Sequence, residues 1–399
     1  MAGKLHLVKD SNDEQNRIDY RNKIRRHRRS ALYRILLVLA AVGILMAIVY
    51  VQYRNHIYTS YDIVSTIDMN TVNGAKIVRL GENILTYSQD GAHCTDAKGK
   101  ALWNQTFEMQ HMIVAVNGDV VAIGDYNGRS IYVMNSSGKI CEISVTMPIR
   151  NIAVSQNGRV AVTAADTKIT WIYVYASDGN LEYEGQTTMG QSGYPTAFAL
   201  SPNGELLGVS CTYVDSGTVT TRIAFYNLGA VGANISDFLV TADNYADTIV
   251  PYISFIDENT AVAVGDNKLM FYEGAQKPVL KAQYLLDDEI QSVYQGEEHV
   301  GLLFRSDKLD MQNKMKVYSA DAQEIGTYYF NMDYDHIFFT GDYFAVYNSK
   351  ECMVQTYNGV NKFEGNFFSS VELMYPVGKG QSYKYILVDK NAINTIQLR

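Results

Sequence analysis

From residue 58 onward, short apolar runs alternate with turn residues at a recurring interval. His111–Thr146 shows one unit: HMIVAV, VVAIG, SIYVMN and ICEISVT, separated by NGD, DYNGR and SSGK. Each separator carries Gly, Asn, Asp or Ser, which tolerate or actively stabilise tight turns. Four strands per unit, repeated along a chain, predict a β-propeller blade. Such a sheet cannot bury both faces alone, so it needs neighbours.

Eight segments open a blade: Ala75–Leu80, His111–Val116, Ile149–Val154, Thr196–Leu200, Tyr252–Phe255, Ile290–Tyr294, His336–Phe339 and Val371–Tyr375. A more apolar second strand follows each: ILTY, VVAI, VAVT, LGVS, AVAV, GLLF, FAVY and YILV. Near-continuous apolar runs suit strands covered on both faces. Spacing is about 36 to 56 residues, and the longest blade carries an insertion around Gly229–Asn244. The last unit lacks an outer strand, while Tyr61–Met69 (YDIVSTIDM) precedes the first with no partner. Pairing the two closes the ring and removes the open edges. The fold expectation is an all-β, eight-bladed propeller over 58–399, with seven blades as the fallback.

Before the propeller, the pattern changes. Ile35–Tyr53 is an apolar run without a charge, and Arg21–Arg29 (RNKIRRHRR) precedes it as a basic block. A helix over that run spans about 28 Å, enough for a bilayer core. Basic residues ahead of the span place the amino end in the cytoplasm. No small-residue cleavage site follows, so an uncleaved signal anchor over 31–54 is expected rather than a signal peptide. Residues 1–30 read as a disordered cytoplasmic tail. The expected location is the cell membrane of a bacterium, single-pass, with the propeller outside the cytoplasm. The short tether would set the third-to-fourth strand turns against the membrane and leave the second-to-third strand loops distal.

Charge divides the same way. Residues 1–54 hold 11 Lys and Arg against 4 Asp and Glu; the remainder holds 23 against 38, a balance of −15. An acidic domain argues against nucleic acid as a partner. Cys94, Cys141, Cys211 and Cys352 fall on different blades with no C-x-x-C pair, which predicts free, buried thiols and gives no support for zinc. Asp287-Asp288-Glu289 and Glu297-Glu298 read as solvated acidic pairs, not ligands. No G-x-S-x-G element and no phosphate-cradling glycine loop is present. No catalytic residue, metal site or cofactor is expected.

Asp96-Ala97-Lys98-Gly99-Lys100-Ala101-Leu102-Trp103 resembles the repeat signature of quinoprotein-like (PQQ-type) propellers, with the aromatic on the outer strand. Met134–Lys139 and Ala176–Asn180 echo it without the Trp. Ser201-Pro202-Asn203-Gly204 resembles the turn of WD-repeat and TolB-like blades. The layout of basic tail, anchor and external propeller resembles an uncharacterised family of clostridial membrane proteins. Quinoprotein dehydrogenases use a stacked Trp, a calcium held by Glu, Asn and Asp, and a disulfide of adjacent cysteines. Here no two cysteines are adjacent, and Trp103 and Trp171 sit where blade packing needs them. Resemblance at fold level does not transfer a function.

An Asp follows the second strand in seven of the eight units: Asp90, Asp125, Asp166, Asp215, Asp266, Asp307 and Asp389; the seventh unit has Asn348. One reading is turn chemistry, a carboxylate bonding nearby backbone N–H groups. The other is an acidic ring around the axial mouth that attracts a cation or a basic segment. Arg129, Lys168, Lys268, Lys308, Lys350 and Lys390 in the same loops offset such a ring. Tyr126, Tyr213, Tyr245 and Tyr334 either cap strands or form a contact surface. The functional expectation is a non-enzymatic scaffold offering its distal face to a protein or a cell-wall polymer. A glycan or small-ligand sensor is the first alternative, and a surface hydrolase or quinoprotein-type enzyme the second.

Overall fold

The computed structural model describes residues 11–72, 74–166, 169–188, 192–378 and 383–399. The chain divides into two units, residues 1–57 and 58–399.

The first unit is one α-helix, Ser11–Arg54. Within it, Tyr20–Gln52 is long and apolar enough to cross a membrane. Within residues 1–30, expected as a disordered tail, the helix starts at Ser11, and residues 1–10 lie outside the described residues. The reason is propensity and cooperativity. Residues 11–34 carry neither Pro nor Gly and are rich in Arg, Lys, Gln and Glu, so a helix nucleated in the apolar run extends through them.

In the second unit, the described residues form eight sheets of four strands each. Blades open within two residues of the eight expected positions, and the count is eight, not seven. Within seven of the blades the strands pair antiparallel in chain order; the last blade is completed by a strand from the start of the domain. Second strands are the core. Val120–Asp125, Val160–Ala165, Thr260–Val264 and Tyr343–Tyr347 are buried along nearly their whole length. Their alternate side chains serve opposite neighbours. Val120 and Ala122 pack toward the third blade, Val121 and Ile123 toward the first.

This alternation gives one hydrophobic cluster for each pair of neighbouring blades, eight in all. An open array of eight blades would have seven such interfaces. The eighth joins last blade to first, through Met69, Ile84, Tyr375, Ile386, Val388 and Ile393.

The last blade takes its outer strand from the start of the domain. Tyr61–Asp68 pairs antiparallel with Ala392–Leu398, with Thr66 opposite Asn394 and one irregularity between Ile63 and Ser65. Thr66 Oγ1 donates to Asn394 Oδ1 at 2.8 Å. Beyond the strand ends, Arg399 N donates to Ser60 O at 2.8 Å and Met69 N to Asn391 O at 2.7 Å. The chain therefore enters the propeller at the face of the third-to-fourth strand turns, here the entry face. The second-to-third turns and the blade-to-blade connections share the opposite, loop face.

The sequence motifs are blade joints. Asp96 Oδ1 accepts from Lys98 N and Lys100 N at 2.9 and 2.8 Å, closing the turn before Trp103. Trp103 Nε1 then donates to Asn135 O of the second blade at 2.7 Å. The Ser201–Gly204 turn receives Asn157 Nδ2 and Arg159 Nη1 from the third blade, each at 2.6 Å, on the carbonyls of Asn203 and Gly204. Gly204 has φ +73, and a Cβ there would meet Asn157 Oδ1 at 2.8 Å, so glycine fits both the turn and the joint.

Candidate functional site

The recurrent Asp residues lie on the loop face, and three of the seven, with Asn348, hold it together. Asp125 Oδ1 accepts from Gln110 N at 3.1 Å and His111 N at 2.7 Å. These donors belong to the connection arriving from the first blade. Asp266 does the same for Ile249 N at 3.1 Å. Asp389 is buried; it accepts from Asn391 N and Ala392 N through Oδ1, and from Ser369 Oγ through Oδ2, all at 2.8 Å. Asn348 Oδ1 closes the equivalent turn on Lys350 N and Glu351 N, while its Nδ2 donates to Asp333 O at 2.8 Å. At these positions a polar side chain after the second strand clamps its own turn, the incoming connection, or both.

The others differ. Asp307 faces the buried Lys314 ammonium at 3.6 Å, which Asp288 also binds at 2.7 Å. Asp288, expected to be solvated, is an ion-pair partner, and Lys314 holds its carboxyl below the usual carboxylate range. Asp90 is exposed, and its backbone carbonyl accepts from Phe107 N at 3.3 Å. Asp166 N donates to Ile169 O at 3.2 Å; Lys168, expected beside it, lies outside the described residues. Asp215 does not follow the strand expected to end at Ser210. That strand continues, Leu206–Asp215, and places Asp215 at a hairpin tip.

The four loop tyrosines separate as well. Tyr245 OH and Tyr272 OH share a 2.6 Å hydrogen bond, and Tyr334 packs on Tyr294 and Phe330, both at 6.1 Å. Tyr126 is exposed and receives Arg150 Nη1 on its hydroxyl at 3.2 Å. It borders a cleft of about 900 Å³ between the first two blades, lined also by Lys76, Asp90 and His111. A second cleft of about 670 Å³ on this face is lined by Asp288, Glu289, Arg305 and Tyr334.

All four cysteines are free and buried, as expected. Burial pushes the thiols of Cys94, Cys211 and Cys352 up to about 12, so they stay protonated at neutral pH. Among the described residues, no group of three or more His, Cys, Asp and Glu is arranged to hold a metal.

What the sequence pattern hid is the fourth blade's hairpin, Leu206–Asp215 with Thr218–Asn227. Its strands have ten residues, against five to seven in the other second strands. The first strand pairs no further than Thr212, and the outer strand no further than Thr220. Among the described residues, 213–218 therefore project past both neighbouring strands, while Val219 O at their base still accepts from Asp247 N at 2.8 Å; Val214 is 68% and Val219 38% exposed, opposite each other. Tyr194 and Ile249, on the segments flanking its base, are exposed too. The available signal was the β-branched alternation from Thr212 to Thr221 (TYVDSGTVTT) around a Ser-Gly turn.

Solved structures with a similar fold include BamB from Moraxella catarrhalis, at 12% identity and TM-score 0.47, covering 85% of this chain and 100% of that one. The Pan2 WD40 domain of Neurospora crassa is similar at 10% identity and TM-score 0.44, covering 86% and 97%. BBS1N, solved in complex with ARL6DN, is similar at 10% identity and TM-score 0.44, covering 86% and 98%. A comparison with curated proteins gives no match. Residues 53–398 match the family of unknown function DUF5711, and the chain belongs to that family.

Proposed function

We propose that this protein is a membrane-tethered, extracytoplasmic interaction module whose loop face binds a protein or cell-wall polymer, with no catalytic step of its own. The observation that carries the reading is the projecting tip at residues 213–218, with exposed Val214 opposite exposed Val219 at its base. Apolar side chains held on a rigid hairpin gain free energy only when a partner covers them. The tip rises by roughly 10–15 Å, at about 3.3 Å per residue, above a strand of ordinary length.

The chain joins the domain at the entry face, where Tyr58 N–H bonds Lys362 O and Tyr61 begins the closing strand.

Photo-crosslinking in intact cells tests both parts. A photoreactive residue at Val214 or Val219 should give discrete adducts that Val214→Asp abolishes, while one at Gly138 on the entry face gives none of them. The same adducts from all three positions, or none from the tip, would overturn the proposal.

A further inference from the structure

Between the outer strand of the third blade and the fourth blade lies a cavity of about 480 Å³ that belongs to neither cleft on the loop face. Its walls come from Leu181–Thr188 on one side and Thr218–Asn227 on the other. The insertion of the fourth blade covers one end. There Asp237 and Phe238 both have φ 60, a conformation costly for side chains of this size. It sets Phe238 edge-on against Tyr183 at 5.5 Å and 82°, and Tyr183 packs in turn on Tyr226 at 5.7 Å.

The polar groups of this cavity are unspent. Arg222 is half-buried, cross-strand from Cys211, and its guanidinium makes no hydrogen bond or ion pair among the described residues. The hydroxyls of Tyr183 and Tyr226 donate to no protein acceptor there either. Asp237 and the exposed Glu184 line the same space, and among the described residues neither pairs with Arg222, so one cation and two carboxylates face one cavity without meeting. Burial raises the Tyr226 hydroxyl pKa above the usual tyrosine range, and the hydroxyl also lies within the field of both Arg222 and Asp237, Arg222 lowering and Asp237 raising it. The Cys211 thiol beside them is neutral and adds no charge. An arginine with a free fork is matched to a planar carboxylate. A carboxylate across an aromatic-walled space is matched to an ammonium. A cavity of a few hundred Å³ with few convergent polar groups has the size of a small-ligand site.

From this arrangement we infer a binding site for a small zwitterion, an amino acid or short peptide. Its carboxylate pairs with Arg222 and the tyrosine hydroxyls, its ammonium with Asp237, and its side chain lies on Tyr183 and Leu239. This site is independent of the partner surface at the hairpin tip.

Calorimetric titration of the full chain in detergent tests it, with leucine and leucyl-leucine, each also as its carboxamide and its N-acetyl derivative. At least one parent compound should bind, and its two capped forms should bind at least tenfold more weakly. Arg222→Met should erase the difference between acid and amide, and Asp237→Asn that between amine and N-acetyl. Tyr226→Phe, which removes only a hydroxyl, should weaken the parent severalfold with the melting temperature unchanged. Preference for leucine assigns a free amino acid, preference for leucyl-leucine a peptide, and either supports the site. No binding by either parent, equal binding of capped and parent forms, or Arg222-dependent binding of inorganic phosphate at equal strength would overturn it.

Discussion

The closing strand can be tested at the level of register. Thr66 and Asn394 are opposite each other, and their side chains touch at 2.8 Å. Replacing both with cysteine places two thiols where an antiparallel pair has Cβ atoms about 5 Å apart, close enough to bridge with slight adjustment. The bond would span 328 positions of sequence. In the chain-entropy model a loop of that size removes about 6 kcal/mol from the unfolded ensemble at 25 °C. Loss of the Thr66–Asn394 hydrogen bond offsets about 1 kcal/mol of this. A domain of this length has an unfolding entropy near 0.7 kcal/mol/K. The oxidised variant should then melt roughly 7 °C above its reduced form. The native thiols are buried and should not compete. Peptide mapping would identify the bridge, and melts with and without reductant would give its effect. Asp62→Cys with Asn394→Cys is the control. Asp62 pairs with Gln397, three residues along, about 10 Å away. A bridge in the control but not in the Thr66 pair, or no bridge in a folded oxidised protein, would refute the closure described here.

Other consequences follow from single residues. Burial between Phe339 and Tyr357 holds His299 below the usual histidine range, so the folded state keeps it neutral while the unfolded chain takes up a proton below about pH 6.5. Stability should therefore fall as pH drops from 6.5, and His299→Phe should flatten that fall between pH 7 and 5.5; His93, also shifted down by burial, leaves part of the slope, and an unchanged slope sinks the assignment. Asp125→Ala strands the N–H groups of Gln110 and His111 and should cost about 1–3 kcal/mol in denaturant melts. Asp125→Asn keeps an acceptor and should cost less than half of that, while Asp215→Asn at the hairpin tip should be neutral. Maleimide should label none of the four cysteines in the native protein and all of them in denaturant; rapid native labelling would contradict their burial.

The sequence carried the scaffold because the scaffold repeats. A second strand covered on both faces must be apolar at every position, so VVAI, AVAV and FAVY stand out with no alignment. The helix start was not legible for the opposite reason. Hydropathy locates the apolar run, while the extension back to Ser11 rests on propensity in a polar stretch that also has the composition of disorder. The cavity between the third and fourth blades was not legible either. Tyr183, Arg222 and Asp237 belong to separate segments, and only the docking of one blade on the next brings them to one space.

The same contrast separates architecture from function. The recurrent Asp is visible as a pattern because every blade must join a turn to an incoming connection. A residue spent on that joint has few acceptor positions left for a partner. Asp125 and Asp389 show this directly, each with two or more backbone donors on one carboxylate. The proposed binding places lie where the repeat breaks. The fourth blade has the long hairpin with exposed valines, the insertion with two residues at φ 60, and an arginine with no hydrogen-bond or ion-pair partner among the described residues. Eight blades close the ring; the fourth departs from the repeat at these three places, and exposed valines and side chains at φ 60 there cost stability. A partner at the tip and a ligand in the cavity are what would return it.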